Sequence, residues 1–261
     1  MRFAMNHIAA PGLSVEKFFA MARSLGVTEV EIRNDLPDVV GTIAPDRVKA
    51  AAEAAGVTIL TINALYPFNL WSGDLPERAE RMADYASACG AGALVMCPLN
   101  DGRKVAHSRV VEALDAMKPI LTTRGLTGLV EPLGFPVSSL RTKAEAIAAI
   151  TEAGDDGTYR LLHDTFHHHL SGEVQIYPHR TGLVHVSGVT DPALAVAEML
   201  DEHRVLIDGE DRLDNAGQVR ALIDGDYEGP FSFEPFAPEI HALTDPEAAL
   251  RASIAHLVKV V

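Results

Sequence analysis

The chain has 261 residues, 48% hydrophobic and 22% charged, which suits one globular domain with a sizeable core. Its net charge of −14 at pH 7 argues against a phosphate-backbone partner, and no apolar run reaches the roughly 18 residues that span a bilayer. Cys89 and Cys97 form no CxxC pair, and MRFAMNHIAAPG lacks the apolar stretch of a secretory leader, so a reduced, cytoplasmic setting is expected.

Short apolar runs alternate with helical patterns along the whole chain. The strand candidates are 3–6, 29–33, 58–63, 93–97, 128–133, 159–166, 183–187 and 230–236. They are apolar nearly throughout, as strands covered on both faces are. Ser14 caps the first helix candidate. APDRVKAAAEAAG follows, with Pro45 at its start and Gly56 at its end, and LPERAERMADYASACG ends at Gly90 in the same way. SRVVEALDAMKPILTTRG, TKAEAIAAITEAG, NAGQVRALIDG and DPEAALRASIAHLVKVV supply further helices, and SGEVQIYPHRTG is the weakest of the set.

Eight βα alternations in this length predict an α/β fold, a single-domain (β/α)8 TIM barrel over residues 1–261. A doubly wound sheet is disfavoured because HIAAPGLS, after the first strand, is no GxGxxG turn.

A barrel does its chemistry at the C-terminal ends of its strands. Four consecutive strand candidates end on Glu131, Asp164, His185 and Glu234, each a polar residue in an apolar run. Alone, each has a structural reading: a carboxylate paired with arginine, a helix cap, a hydrogen-bonded core histidine. Together they are costly to bury without a cation, and three carboxylates with one imidazole suit one divalent ion: Mn²⁺, Co²⁺, Zn²⁺ or Mg²⁺, with Mn²⁺ or Zn²⁺ foremost. Asn6, His7, Arg33 and Asn63 also stand at strand ends and are candidates for binding substrate hydroxyls. Tyr66, Phe68, Trp71 and Phe135 either line the pocket mouth or pack the loops. His163 should face the outer helices, and His168 and His169 are read as loop or rim residues.

Five stretches of the chain carry a resemblance: EIRND, INALYPFN, EPLGFPVSSL, HDTFHHHLSG and EPFAPEIHALTDPEAAL. By them the chain resembles the xylose isomerase-like superfamily of sugar isomerases and epimerases, nearest its inosose (2-keto-myo-inositol) isomerase branch. The resemblance implies that Glu131, Asp164, His185 and Glu234 bind the metal and that Glu131 and Glu234 are the acid/base pair. It also implies that His167 and Arg204 contact substrate. HVSGV after the ligand histidine and IDGEDR further on depart from the family pattern in loops that line the pocket.

The expected reaction moves a carbonyl between adjacent carbons of a keto-inositol or ketose through a metal-stabilised ene-diolate. The loop after the last strand, EPFAPEIHAL, has no glycine and is acidic, so an unphosphorylated substrate is expected, with Gly188 the one contrary sign. Ketose 3-epimerisation, hydroxypyruvate isomerisation and inosose dehydration are the alternatives. Phosphoester cleavage and ligand binding without catalysis are the more distant ones. The partner is a small polyol or ketose, and homo-oligomerisation is left open.

Overall fold

The computed structural model describes residues 1–36 and 42–261. The chain runs β1 (Arg2–Asn6), α1 (Val15–Ser24), β2 (Glu29–Arg33), α2 (Pro45–Ala55), β3 (Thr58–Leu65), α3 (Leu75–Cys89), β4 (Ala93–Met96), α4 (His107–Thr122) and β5 (Thr127–Val130). It continues through α5 (Lys143–Glu152), β6 (Tyr159–Asp164), α6 (Thr165–Ser171), β7 (Thr181–Val186), α7 (Asn215–Asp224), β8 (Pro230–Phe233), α8 (Pro238–His241) and α9 (Pro246–Val260). All eight strands are parallel, and β1 pairs with β8 to close the barrel, the expected (β/α)8 fold. Among the described residues no helix is long and apolar enough to cross a membrane.

Local chemistry sets the helix ends. The Ser14 side chain accepts from the Lys17 amide, and Thr142 and Glu145 form a capping box on α5. Gly56 and Gly90 end α2 and α3 in the left-handed region, where a side chain would be strained. Inside the barrel, Ala93, Val95, Leu129, Leu162 and Leu183 form an apolar plug. The larger core lies between the barrel and its helices, with Phe18, Phe19, Ile32 and Phe231 wholly or almost wholly buried. The plug is a rigid floor on which polar side chains at the strand ends can be held.

Two expectations are corrected. SGEVQIYPHRTG forms only a 3₁₀ turn at Pro178–Arg180, and the helix after β6 lies earlier. His168 and His169 therefore ride on a helix and not a loop. β6 stops at Asp164, because that side chain caps α6. β5 and β8 stop at Val130 and Phe233, with Pro132 and Pro235 just beyond, which lack the N–H a strand ladder needs.

α6 is latched to α5 by a buried polar cluster. Lys143 Nζ lies 2.5 Å from His168 Nδ1 and 3.5 Å from Glu173 Oε2, and Glu173 accepts the amides of Lys143 and Ala144. His163 faces outward, as strand alternation requires, with its Nε2 2.9 Å from Gln218 Oε1 on α7. Burial lowers the Lys143 pKa from the ordinary 10.5 to about 8, against the opposing charge of Glu173.

Between about pH 8 and 10.5 the unfolded chain therefore holds a proton on Lys143 that the folded chain has lost, and this group favours folding more as pH rises. Lys143→Met removes the effect. In denaturant unfolding its stability relative to the parent should be highest below pH 8 and decline through that window. A difference independent of pH would contradict the assignment.

Candidate metal centre

Each of the four strand-end residues is placed by backbone bonds at the barrel mouth. Glu131 is one residue past β5, its amide donating to Met96 O at 3.1 Å, and Glu234 is one past β8, its amide donating to Val186 O at 3.0 Å. Asp164 closes β6 and stands in register with His185 on β7. Asp164 Oδ1 caps α6 by accepting the amides of Phe166 and His167, which turns Oδ2 toward the site. The helix-cap reading and the site reading of this residue are both fulfilled, one by each oxygen.

Glu131, Asp164, His185 and Glu234 are all buried, and one potential ligand atom from each lies within 4.8 Å of all the others. His185 Nδ1 faces this group, 2.9 Å from Glu234 Oε2, 3.6 Å from Glu131 Oε1 and 3.9 Å from Asp164 Oδ2. It lacks the alignment of a hydrogen bond to any of them. A buried ring nitrogen without a partner, facing three carboxylates, is a donor set for a hard or borderline cation. Burial lowers the pKa of His185, but the charges of Glu234 and Glu31 raise it by more, so the ring's hold on a proton is well above the ordinary.

Charge balance points to a divalent ion. Arg33 Nη1 donates to Glu234 Oε1 at 2.8 Å, and Arg204 Nη2 donates to Asp164 Oδ2 at 2.6 Å and Glu234 Oε2 at 3.0 Å. Glu31 is wholly buried and accepts from His185 Nε2 at 3.0 Å. The buried carboxylates of Glu31, Glu131, Asp164 and Glu234 outnumber these two guanidiniums, which are shared with the half-exposed Asp35 and Asp201, so the cluster keeps a net negative charge that a divalent cation beside neutral His185 would reduce. Phe236 supports both arginines, with their Cζ atoms 5.1 and 4.7 Å from its ring centroid.

Beside the cluster opens a cavity of about 470 Å³, lined among others by Arg33, Asn63, Tyr66, Glu131, His167 and Arg204. His167 is 4% exposed, its ring lies edge-on to Phe135 with centroids 5.0 Å apart, and its Nδ1 has no partner. Asn6 Nδ2 and Asn63 Nδ2 donate to Glu234 Oε1 at 3.0 and 3.2 Å. Asn63 also lines the cavity, whereas Asn6 does not and holds the carboxylate from behind. His7 is turned away, its Nε2 2.9 Å from Leu13 O and its ring stacked on Phe18. Arg204 lines the cavity, but four of its five N–H groups go to Ser187, Asp201, Asp164 and Glu234. Of the aromatic candidates, Tyr66 reaches the cavity, Phe68 and Phe135 are buried packing, and Trp71 packs against the core.

Glu31, Phe236 and the Cys97–Glu131 contact were not assigned from the sequence. Glu31 had a visible signal, a carboxylate in the middle of a buried strand. Cys97 Sγ donates to Glu131 Oε2 at 3.2 Å, and burial, then Glu131, pushes its thiol pKa well up. The thiol therefore acts as a donor and not as a thiolate nucleophile.

A closed parallel barrel with a buried set of three carboxylates and an imidazole at its C-terminal mouth, a set that could hold a metal ion, defines the class of architecture. Residues 19–260 match the family described as xylose isomerase-like TIM barrel, and the chain belongs to that family. A xylose isomerase domain containing protein from Salmonella typhimurium LT2 is 38% identical, with a TM-score of 0.92 over 99% of this chain and 96% of its own. The IOLI protein, solved with a zinc atom bound, is 22% identical with a TM-score of 0.88 over 100% and 98% of the two chains. D-Allulose 3-epimerase from Methylomonas sp., solved with D-allulose, is 17% identical with a TM-score of 0.77 over 100% and 97%. No match was found among curated proteins.

Metal analysis after dialysis checks the donor set. Asp164→Asn should lose stoichiometric binding of Mn²⁺ or Zn²⁺, whereas His169→Ala, on α6 and outside the cluster, should keep it. Retention in the first with loss in the second would overturn the assignment.

Proposed function

We propose that this protein is a divalent-cation-dependent isomerase that moves a carbonyl between adjacent carbons of an unphosphorylated keto-inositol or ketose. The observation that carries the reading is the buried cluster of Glu131, Asp164, His185 and Glu234 opening onto a cavity large enough for a six-carbon polyol. These four residues would hold the cation. Bound there, a divalent cation supplies Lewis-acid polarisation of a substrate carbonyl.

The two glutamates are not equivalent. Glu234 accepts from Asn6, Arg33, Asn63 and Arg204. Although burial acts to raise its pKa, His185, Arg204 and Arg33 hold it well below the usual carboxylate range. It is a poor proton acceptor and a good permanent anion. Glu131 accepts only the Cys97 thiol among the described residues. We assign Glu131 as the base that removes the proton beside the carbonyl, and Glu234 as the fixed charge opposite it. His167, which lines the cavity beside the cluster, exchanges the hydroxyl proton as the carbonyl migrates. Return of the carbon-bound proton to the neighbouring carbon completes the isomerisation.

The case for an unphosphorylated substrate rests on amides already in use. The Gly188 amide donates to Val205 O, and the Phe236 and Ala237 amides after β8 both donate to Arg204 O. No free cradle of N–H groups is left at these positions for a phosphate.

The test is solvent exchange. With Mn²⁺ or Co²⁺ in D₂O, the protein should place deuterium on the carbon beside the ketone of an inosose or ketose and yield the positional isomer. Glu131→Gln should slow exchange by roughly 10²–10⁴-fold at equal metal occupancy. An enone or a 3-epimer as the product would transfer the site to dehydration or epimerisation. Absence of exchange on every inosose and ketose tried would end the proposal.

A further inference from the structure

Glu31 is a carboxylate that the proposed reaction does not use. It lies in the middle of β2 with 0% exposure, and it is not among the residues lining the cavity. A carboxylate there is costly unless every lone pair is engaged. Its oxygens are engaged by three side chains from three other strands. Ser232 Oγ donates to Oε1 at 2.5 Å, Thr61 Oγ1 donates to Oε2 at 2.7 Å, and His185 Nε2 lies 3.0 and 3.1 Å from the two oxygens.

Strand register builds this arrangement. Thr61 on β3 is the partner of Glu31, and Ser232 on β8 is the partner of His185. The two hydroxyls fix the carboxylate, and the carboxylate spans the barrel interior from β2 to the imidazole on β7. An ionised carboxylate can only accept, so the hydrogen must be on Nε2. Neutral His185 then has one tautomer, with the lone pair on Nδ1. Nδ1 is the atom that faces Glu131, Asp164 and Glu234.

We infer that Glu31 is a positioning residue for the metal centre: by holding the Nε2–H of His185 it sets the tautomer and ring orientation that present Nδ1 to the cation. It also adds one negative charge beside the site. The inference rests on the metal-centre reading above. Outer partners of this kind typically account for 10- to 100-fold in metal affinity.

The experiment compares Mn²⁺ and Zn²⁺ affinity of the parent, Glu31→Gln and Glu31→Ala by competition with a chelator, on protein shown to be folded by circular dichroism. Glu31→Gln keeps size and an acceptor but removes the charge, and should bind about 10-fold more weakly. Glu31→Ala leaves the imidazole unheld, and should bind up to about 100-fold more weakly. The visible absorption of the Co²⁺-loaded variants should also change, which a purely structural loss would not cause in the folded fraction. Folded variants with parental affinity and parental spectrum would overturn the inference. If Glu31→Ala does not fold, Glu31→Gln decides alone. A parent that binds neither metal would instead defeat the metal-centre reading and this inference with it.

Discussion

Three carboxylates brought together around one imidazole, with ligand atoms within 4.8 Å of one another and little exposure to water, repel one another strongly unless positive charge reaches them. Much of the upper half of the barrel can be understood as the answer to that repulsion. Arg33 and Arg204 are buried to 6% and 1% exposure, although arginine rarely is, and both direct guanidinium groups at the cluster. Phe236 lies beneath both, supporting them with a ring face where water would otherwise compete. The arginines lower the repulsion without cancelling it. The remainder would favour a divalent cation at the cluster.

The same electrostatics separates two glutamates that look alike in the sequence. Glu234 is surrounded by donors and stays ionised; Glu131 meets the Cys97 thiol at 3.2 Å and His185 Nδ1 at 3.6 Å but no arginine or amide donor among the described residues. Division of labour between carboxylates follows from such differences in surroundings and not from the side chains themselves. Asp164 shows a third treatment, with one oxygen satisfied by helix amides and the other turned to the arginine and the site. α6 begins at that aspartate and carries His167, so one residue ties the cluster to the cavity wall.

The barrel and its four strand-end residues were legible in the sequence because a charged residue in an apolar run stands out, and because strand ends in this architecture converge by rule. The ends of β5, β6 and β8 were less legible, since proline and helix capping stop a ladder that apolar character alone would extend. His168 and His169 were read as loop or rim residues because a seven-residue helix is too short to show a period of its own; both ride on α6, where His168 meets Lys143. Asn6, Arg33 and Asn63 were visible as polar strand ends, but their shared direction toward Glu234 is a matter of packing across the mouth. The pairing of Glu31 with His185 joins residues 154 apart in sequence, on strands that meet only across the closed interior.

The central claim is that these charges enclose one divalent cation at a defined place. Anomalous diffraction from crystals grown with Mn²⁺ or Zn²⁺ tests it most directly. The account predicts a single strong anomalous peak bounded by Glu131, Asp164, His185 and Glu234, with Nδ1 of His185 as its nitrogen ligand. A peak elsewhere, or an imidazole that has turned to bind through Nε2 and left Glu31 unpartnered, would contradict it.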